Sequence, residues 1–333
     1  MKFLQIGLGS MGKRRIRCLH ALGHRDILAF DPREDRRAEA ERLYGVRTTA
    51  DLDAAWGGPC LGAGLVSAPP DRHYPCGKRA AEAGLHSFCE ANVVTQGADE
   101  IQALADRAGV LAAPSATMRF HPLYHHLRRI VRDEPAFGRP LLMTFHLGNY
   151  ILDWHPWEGL DFYAGRKETG ACREMVPFEF EWMQWIFGPV ESVQCTYAKQ
   201  LDLPTDIDDS YLIIARFESV RIANLLVEVV ARHALREGRL VSQQGSVDWS
   251  FETNTLRHFD AATGAWRMHK AAGRGFNIEE MYVAEIRNWL AACRGEEAWE
   301  HTYAHDKELS RILLACERSH ETGRRVRVAE IDL

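Results

Sequence analysis

The sequence predicts an α/β protein of two domains: a doubly wound parallel sheet over residues 1–120 and, over 121–333, an α/β domain built on a mostly antiparallel sheet. Three observations predict it. Short apolar runs alternate with amphipathic stretches through the first 115 residues, as strands buried on both faces alternate with covering helices. A glycine loop, Gly7-Leu8-Gly9-Ser10-Met11-Gly12, follows the first apolar run and opens the first amphipathic stretch. Near Arg119 the alternation gives way to longer β-rich segments separated by turns.

Taken in order, KFLQIGL, DILAF, GAGLVSA, HSFCEA and GVLAAPS read as strands, and MGKRRIRCLHALG, PREDRRAEAERLYG, DRHYPCGKRAAEAG and GADEIQALADRAG as their helices. PLYHHLRRIVRDE leads, as one more helix, into the β segments LLMTFHLGNYI, SVQCTYAKQ, SYLIIARFE, RIANLLVEVVARHA and RLVSQQGSVDWSFE. Two helices, EEMYVAEIRNWLAACR and YAHDKELSRILLACERSHETG, precede a last strand, RRVRVAEIDL, with Gly323 placed to cap the second. The last helix and strand are expected to return near the first domain. No repeat or long linker separates the halves, so the boundary reads as a hinge.

Composition narrows the function. A chain of 333 residues buries roughly three quarters of its unfolded surface and needs no disulfides to fold. Forty-one basic against 46 acidic residues, a net charge of −5, argue against a nucleic-acid binder. The longest apolar runs fall short of the ~18 residues that mark a membrane span, and the N-terminus lacks a signal-peptide pattern. The eight cysteines are scattered without a metal-ligand spacing, so no metal site and no disulfide framework are expected, and a reducing cytoplasm is the expected compartment.

The glycine loop points to a dinucleotide. Gly7 permits the tight turn, Gly9 lets backbone N–H groups approach a pyrophosphate, and Gly12 lets helix and strand pack closely, with Ser10 and Met11 opening the helix. Asp31 closes the second strand nineteen positions after Gly12, where a carboxylate binds both ribose hydroxyls of NAD. It would repel the 2′-phosphate of NADP, although Arg33, Arg36 and Arg37 follow closely; NAD is therefore expected over NADP. The alternative is a structural turn in a domain that binds something else.

With these residues in view, the chain resembles the glucose–fructose oxidoreductase/inositol dehydrogenase (Gfo/Idh/MocA) family. The resemblance runs through GLGSMGKRR, SAPPDRH, Glu90 at a strand end, the junction Arg119-Phe120-His121-Pro122, Phe137-Gly138 with Pro140, and a helix ending Trp185-Ile186-Phe187-Gly188. It implies a Rossmann domain followed by an α/β domain whose large open sheet mediates homo-oligomerisation, as dimer or tetramer, and NAD(P)-dependent chemistry on sugars, cyclitols and their derivatives. It places Ala68, Pro69 and His73 along the cofactor groove and Glu90 near the nicotinamide; His73 alone reads equally as a helix-start residue. Two departures stand out. The family's Glu-Lys-Pro is Glu90-Ala91-Asn92 here, and its Asp-x-Gly-x-His-x-x-Asp positions hold Glu174, Val176, Phe178 and Glu181. Both usual acid/base groups, lysine and histidine, are thus replaced.

Oxidising an alcohol requires a base for the hydroxyl proton. The stretch 149–170, dense in aromatic and polar residues, is the richest source. His155 is the leading candidate because its unperturbed pKa lies near neutrality. Tyr163 and Lys167 would share one face if their segment were helical, and Lys167 alone could serve as a relay. Trp154 and Trp157 offer faces for a sugar ring, and Glu158, Arg173 and Glu174 offer polar contacts, with Phe178 an apolar one. Arg119 holds either a ligand anion or the domain junction. Glu179 and Glu181 read as residues early in a helix whose first turn contains Pro177. His121, His125 and His126 lack a completing carboxylate or cysteine and read as surface histidines. The expected activity is an NAD(H)-dependent oxidoreductase acting on a small polyhydroxylated molecule. The alternatives are a lyase, epimerase or glycosidase that recycles bound NAD, and a non-catalytic dinucleotide-dependent regulator.

Overall fold

The computed structural model describes residues 1–57, 60–93, 96–156, 158–270 and 277–333. The chain divides into two compact units, Met1–Thr117 with Asn277–Lys307, and Met118–Phe276 with Glu308–Leu333.

In the first unit, β1 (Lys2–Ile6), β2 (Ile27–Phe30), β3 (Arg47–Thr49), β4 (Leu61–Val66), β5 (His86–Cys89) and β6 (Ala112–Pro114) form a parallel sheet in the order β3-β2-β1-β4-β5-β6. Between them run α1 (Ser10–Ala21), α2 (Glu34–Tyr44), α3 (Leu52–Trp56), α4 (His73–Glu82) and α5 (Ala98–Ala108). The doubly wound expectation holds. β3 and α3 are additions, because RTT and LDAAW are too short to show a period. The strand order reverses between β1 and β4, which opens the switch-point crevice at the carboxyl ends of these two strands. The helix from the C-terminal half that joins this unit is α8 (Glu279–Cys293), whose Ile286, Trp289 and Leu290 pack into the cluster of Phe3, Leu19, Ile27 and Phe88. The Trp289 ring lies 5.7 Å from Phe88 and 6.4 Å from Phe3.

The second unit opens with α6 (Pro122–Asp133) and β7 (Pro140–Tyr150), then α7 (Cys172–Phe187), β8 (Val190–Ala198) and β9 (Ser210–Phe217). β10 (Ile222–Glu228), β11 (Val230–Ser242), β12 (Gly245–Ser250), β13 (Thr255–Asp260) and β14 (Ala265–Lys270) follow, and α9 (Tyr303–Thr322) and β15 (Val326–Arg327) end the chain. The nine strands run in the order β14-β13-β12-β11-β7-β10-β9-β8-β15, and only the β7–β10 pairing is parallel. Three expectations are corrected. RIANLLVEVVARHA is two strands broken at Val229, since its continuous apolar run hides the turn. The last strand is only two residues long and pairs with β8 in this sheet. α7 starts at Cys172, so Pro177 lies inside the helix rather than in its first turn.

One face of this sheet is covered and the other is open. Phe145, Leu147, Tyr211, Ile213, Ala215, Leu225 and Val227 are buried, as are Val176, Phe180, Trp182 and Met183 of α7. The opposite face carries Leu142 beside Ile222 and Leu212 beside Leu226, with Ile214 next to them. Ile222 keeps 59% of its surface exposed, Leu212 44% and Leu142 41%.

Candidate active site

The cofactor half of the site is built by β1, the glycine loop and α1. Gly7 has φ +88°, and a Cβ there would stand 2.5 Å from the Ser67 carbonyl oxygen. A Cβ on Gly12 would fall 1.8 Å from the Gly7 carbonyl oxygen, so the loop closes only with glycine at both positions. Gly9 caps α1 and presents the unpaired first-turn amides of Ser10, Met11 and Gly12, the arrangement that receives a pyrophosphate. Asp31 is 2% exposed; its Oδ2 accepts the Leu8 amide at 2.8 Å and its Oδ1 the Arg33 amide at 2.9 Å. Each oxygen retains a lone pair, so the carboxylate fits ribose hydroxyls as well. Of the expected arginines, Arg37 donates to the Asp31 carbonyl at 2.8 Å and Arg36 Nη1 stands 3.8 Å from Asp31 Oδ2, whereas the Arg33 side chain is paired with Asp35 at 2.6 Å. The donor set and the two closed glycine positions fit NAD.

At the ends of β4 and β5 the expected residues form two buried networks. Glu90 accepts Arg15 Nε and Nη2, each at 2.7 Å, and Ser67 Oγ at 3.0 Å. The fully buried Arg15 also donates to Glu285 at 2.7 Å, and Glu285 accepts Ser115 Oγ, the Ala116 amide and Thr117 Oγ1. Glu90 is therefore held by a guanidinium. His73 is 3% exposed and reaches the Ala68 carbonyl at 2.8 Å with Nε2 and Asn92 Oδ1 at 2.8 Å with Nδ1. It thus sits behind the Ala68-Pro69 turn. Asn92 donates to Asp306, whose other oxygen meets His301 Nε2 at 2.8 Å.

In the second unit the loop after β7 folds onto the start of α7. Tyr163 donates to Glu174 at 3.3 Å. His155 lies edge-on to Phe162 at 4.7 Å, with Nδ1 4.0 Å from Glu158. His155 with Glu158 and Tyr163 with Glu174 thus form two pairs joined through Phe162, whose ring lies 4.7 Å from His155 and 5.6 Å from Tyr163. Trp154 is half-buried beside them in the chain, and Trp157 lies outside the described residues. Lys167 does not share a helical face with Tyr163: the segment is a single 3₁₀ turn over Tyr163–Gly165, and Lys167 points to Asp208 at 3.6 Å. Arg173 pairs with Glu317 at 2.7 Å, an internal bond that occupies the group expected on substrate. Arg119 pairs with Glu181 within the unit. Arg236 pairs with Glu179 at 2.8 Å and stacks 5.7 Å from the half-buried Phe178 ring. Burial pushes the Glu179 carboxyl up from its ordinary value, against the pull of Arg236. His121 is no surface histidine: it is fully buried, caps α6 through the Leu123 amide and lies 4.5 Å from the Phe251 ring. Among the described residues no cluster of histidine, cysteine or carboxylate could hold a metal.

Arg15, Glu285, Asn92 and Asp306 escaped the sequence reading. For Glu285 a signal existed: it lies four residues from both Met281 and Trp289, on the apolar stripe of α8, where a lone carboxylate needs a partner. Arg15 shares the buried stripe of α1 with Gly12, Cys18 and Leu19 in the same way.

Comparison with known proteins agrees with this architecture. Residues 1–115 match the family described as oxidoreductase, NAD-binding Rossmann fold, and residues 124–248 match the GFO/IDH/MocA C-terminal domain. An uncharacterized oxidoreductase of Synechocystis sp. is 24% identical over 185 residues, 53% of this chain; the chain spans about half the length of that relative, 48%. Levoglucosan dehydrogenase in complex with NADH and levoglucosan superposes with a TM-score of 0.85 at 17% identity, covering 98% of this chain and 99% of that one. An oxidoreductase domain protein from Kribbella flavida gives 0.87 at 18% identity over 98% and 99%. An oxidoreductase from Agrobacterium radiobacter in complex with NAD+, L-tartaric acid and magnesium gives 0.85 at 14% over 99% of each chain. With the parallel sheet, the closed glycine loop and the open nine-stranded sheet in one molecule, the chain belongs to the Gfo/Idh/MocA oxidoreductase family and carries its NAD-binding domain.

Proposed function

We propose that the protein is an NAD(H)-dependent dehydrogenase or reductase acting on a sugar, cyclitol or related polyhydroxylated metabolite. NAD held by the glycine loop and Asp31 would supply the hydride acceptor or donor. The second unit would supply the groups for the substrate. The observation that carries the reading is the pairing of Tyr163 with Glu174, at 3.3 Å, joined through Phe162 to the pair of His155 and Glu158 on the folded loop. A carboxylate such as Glu174 binds a hydroxyl strongly because it accepts a charge-assisted hydrogen bond. His155 takes the substrate proton during oxidation and returns it during reduction. Lys167 and Arg173, drawn off by Asp208 and Glu317, are secondary. Likeness to levoglucosan dehydrogenase supports a cyclic polyol substrate.

The same reading assigns the open sheet face to a second copy of the chain, giving a homo-oligomer, and its compartment to the cytoplasm, where the free cysteines stay reduced. The test is a panel of sugars, sugar alcohols and cyclitols incubated with NAD, followed by the appearance of NADH absorbance. Turnover on one class is the expected result, and His155→Ala should keep NADH affinity while losing turnover. An unchanged kcat removes His155 from the chemistry. Protein that purifies with nucleotide and converts a substrate without net NADH change belongs to the NAD-recycling alternative.

A further inference from the structure

The second buried network of the first unit has no part in the function so far. Its hydrogen-bond polarity can be worked out atom by atom. Asp306 is a carboxylate and accepts, so the Asn92 group facing it is the Nδ2 amide, which donates. The opposite amide orientation would set Asn92 Oδ1 against that carboxylate. Asn92 Oδ1 therefore faces His73 Nδ1, 2.8 Å away, and accepts from it. The Ala68 carbonyl, 2.8 Å from His73 Nε2, also only accepts. His73 donates from both ring nitrogens, and an imidazole that does so carries a positive charge.

The groups around it leave that charge in place. Tyr74 and Tyr303 border the small void beside His73 and Asn92, and Cys89 Sγ lies 3.9 Å from Asn92 Oδ1. Burial pushes the Cys89 thiol and the Tyr303 hydroxyl well up, which keeps both neutral. Asp306 is the carboxylate of the chain of contacts, with His301 on its other oxygen.

The position gives the charge a use. Ala68 follows β4 and Gly7 follows β1, the two strands at which the sheet order reverses. A Cβ on Gly7 would stand 3.1 Å from the Ala68 nitrogen, so the turn bonded to His73 is the wall against which the glycine loop lies. We propose that Asn92 and Asp306 are positioning residues that hold His73 as a cation behind the Ala68 turn. The cation fixes that turn and favours the anionic diphosphate of the dinucleotide in the crevice. The inference rests on the NAD reading and adds to it the residues Asn92 and Asp306.

Two measurements on the full-length protein test it. Imidazole ¹⁵N shifts near neutral pH report His73 directly: both nitrogens protonated in the parent protein, one in Asn92→Leu. Titrations with NADH and with adenosine then separate charge from fold. Asn92→Leu is expected to weaken NADH about fivefold and to leave adenosine unchanged. Asp306→Asn, which keeps the amide's partner but removes its charge, is expected to move NADH in the same direction by less. A singly protonated His73 in the parent, or unchanged NADH affinity in both variants, overturns the proposal. So does equal weakening of NADH and adenosine, the mark of a merely structural role. If Asn92→Leu does not fold, the parent spectrum and Asp306→Asn decide. Failure of the parent to bind NADH would instead overturn the NAD reading itself.

Discussion

Asp31 Oδ2 accepts the Leu8 amide at 2.8 Å, so the carboxylate placed to read the ribose also clamps the glycine loop. Burial at 2% exposure makes the clamp costly to lose. Asp31→Ser removes both the clamp and the charge that opposes a 2′-phosphate, while Arg36 remains 3.8 Å from the old carboxylate position. NADH affinity should fall about tenfold or more, and the preference over NADPH should narrow or reverse. Tryptophan-fluorescence titration with each nucleotide measures both; unchanged NADH binding would show that Asp31 only shapes the loop.

The Arg15 network makes a prediction about order. Glu90 and Glu285 both neutralise one buried guanidinium, but Glu285 also receives donors from Ser115, Ala116 and Thr117. Glu90→Gln leaves Arg15 with a carboxylate partner and should cost about 1–2 kcal/mol. Glu285→Gln weakens four hydrogen bonds at a wholly buried site and should cost about 3 kcal/mol or more. Urea unfolding of both variants checks the order. The reverse order would make Glu90 the principal counter-ion.

What the sequence made legible follows from how local each signal is. Apart from the short β3 and α3, the strands and helices of the first unit announce themselves through period and length, and the glycine loop through spacing within six residues. The pairing of Tyr163 with Glu174 lies eleven residues apart, across a loop whose path no periodicity encodes. Arg15 and Glu285 are 270 positions apart, and Asn92 and Asp306 214. Such contacts come from packing, and one sequence records them only as a charge misplaced on an apolar stripe. β13 and β14 were missed for another reason: TLRHFD and AWRMHK interleave apolar with charged residues over only six positions each, and β14 is an edge strand, mostly exposed.

The open sheet face predicts an oligomer that charge can dissociate. Ile222 and Leu142 are register partners on β10 and β7, both exposed. A glutamate at position 222 would be buried unpaired in an interface on this face, at a cost of several kcal/mol. Ile222→Glu should therefore convert a dimer or tetramer to monomer in light scattering after gel filtration, with unchanged far-ultraviolet circular dichroism. A parent protein that is already monomeric, or a variant that stays assembled, would exclude this face as the interface.

Acid should destabilise the second unit through His121. Burial pushes its pKa down to about 3, with Arg236 and His125 adding to the shift. In the unfolded chain the group titrates near ~6.5, so between these values the unfolded state binds a proton that the folded state refuses. Stability is then full above ~6.5 and falls as pH drops towards 3, with a limiting slope of about 1.4 kcal/mol per pH unit for this one group. His126, whose pKa is pushed down to about 4 by burial and by His269, Arg129 and His258, adds in the same direction. His121→Asn keeps a cap for the Leu123 amide but removes the titration. Losing the ring beside Phe251 lowers its stability at every pH, so the slope is the readout. Urea midpoints at intervals between pH 7 and pH 4 should fall less steeply for the variant by about one proton's worth, and parallel curves would show that His121 takes up its proton within the folded protein.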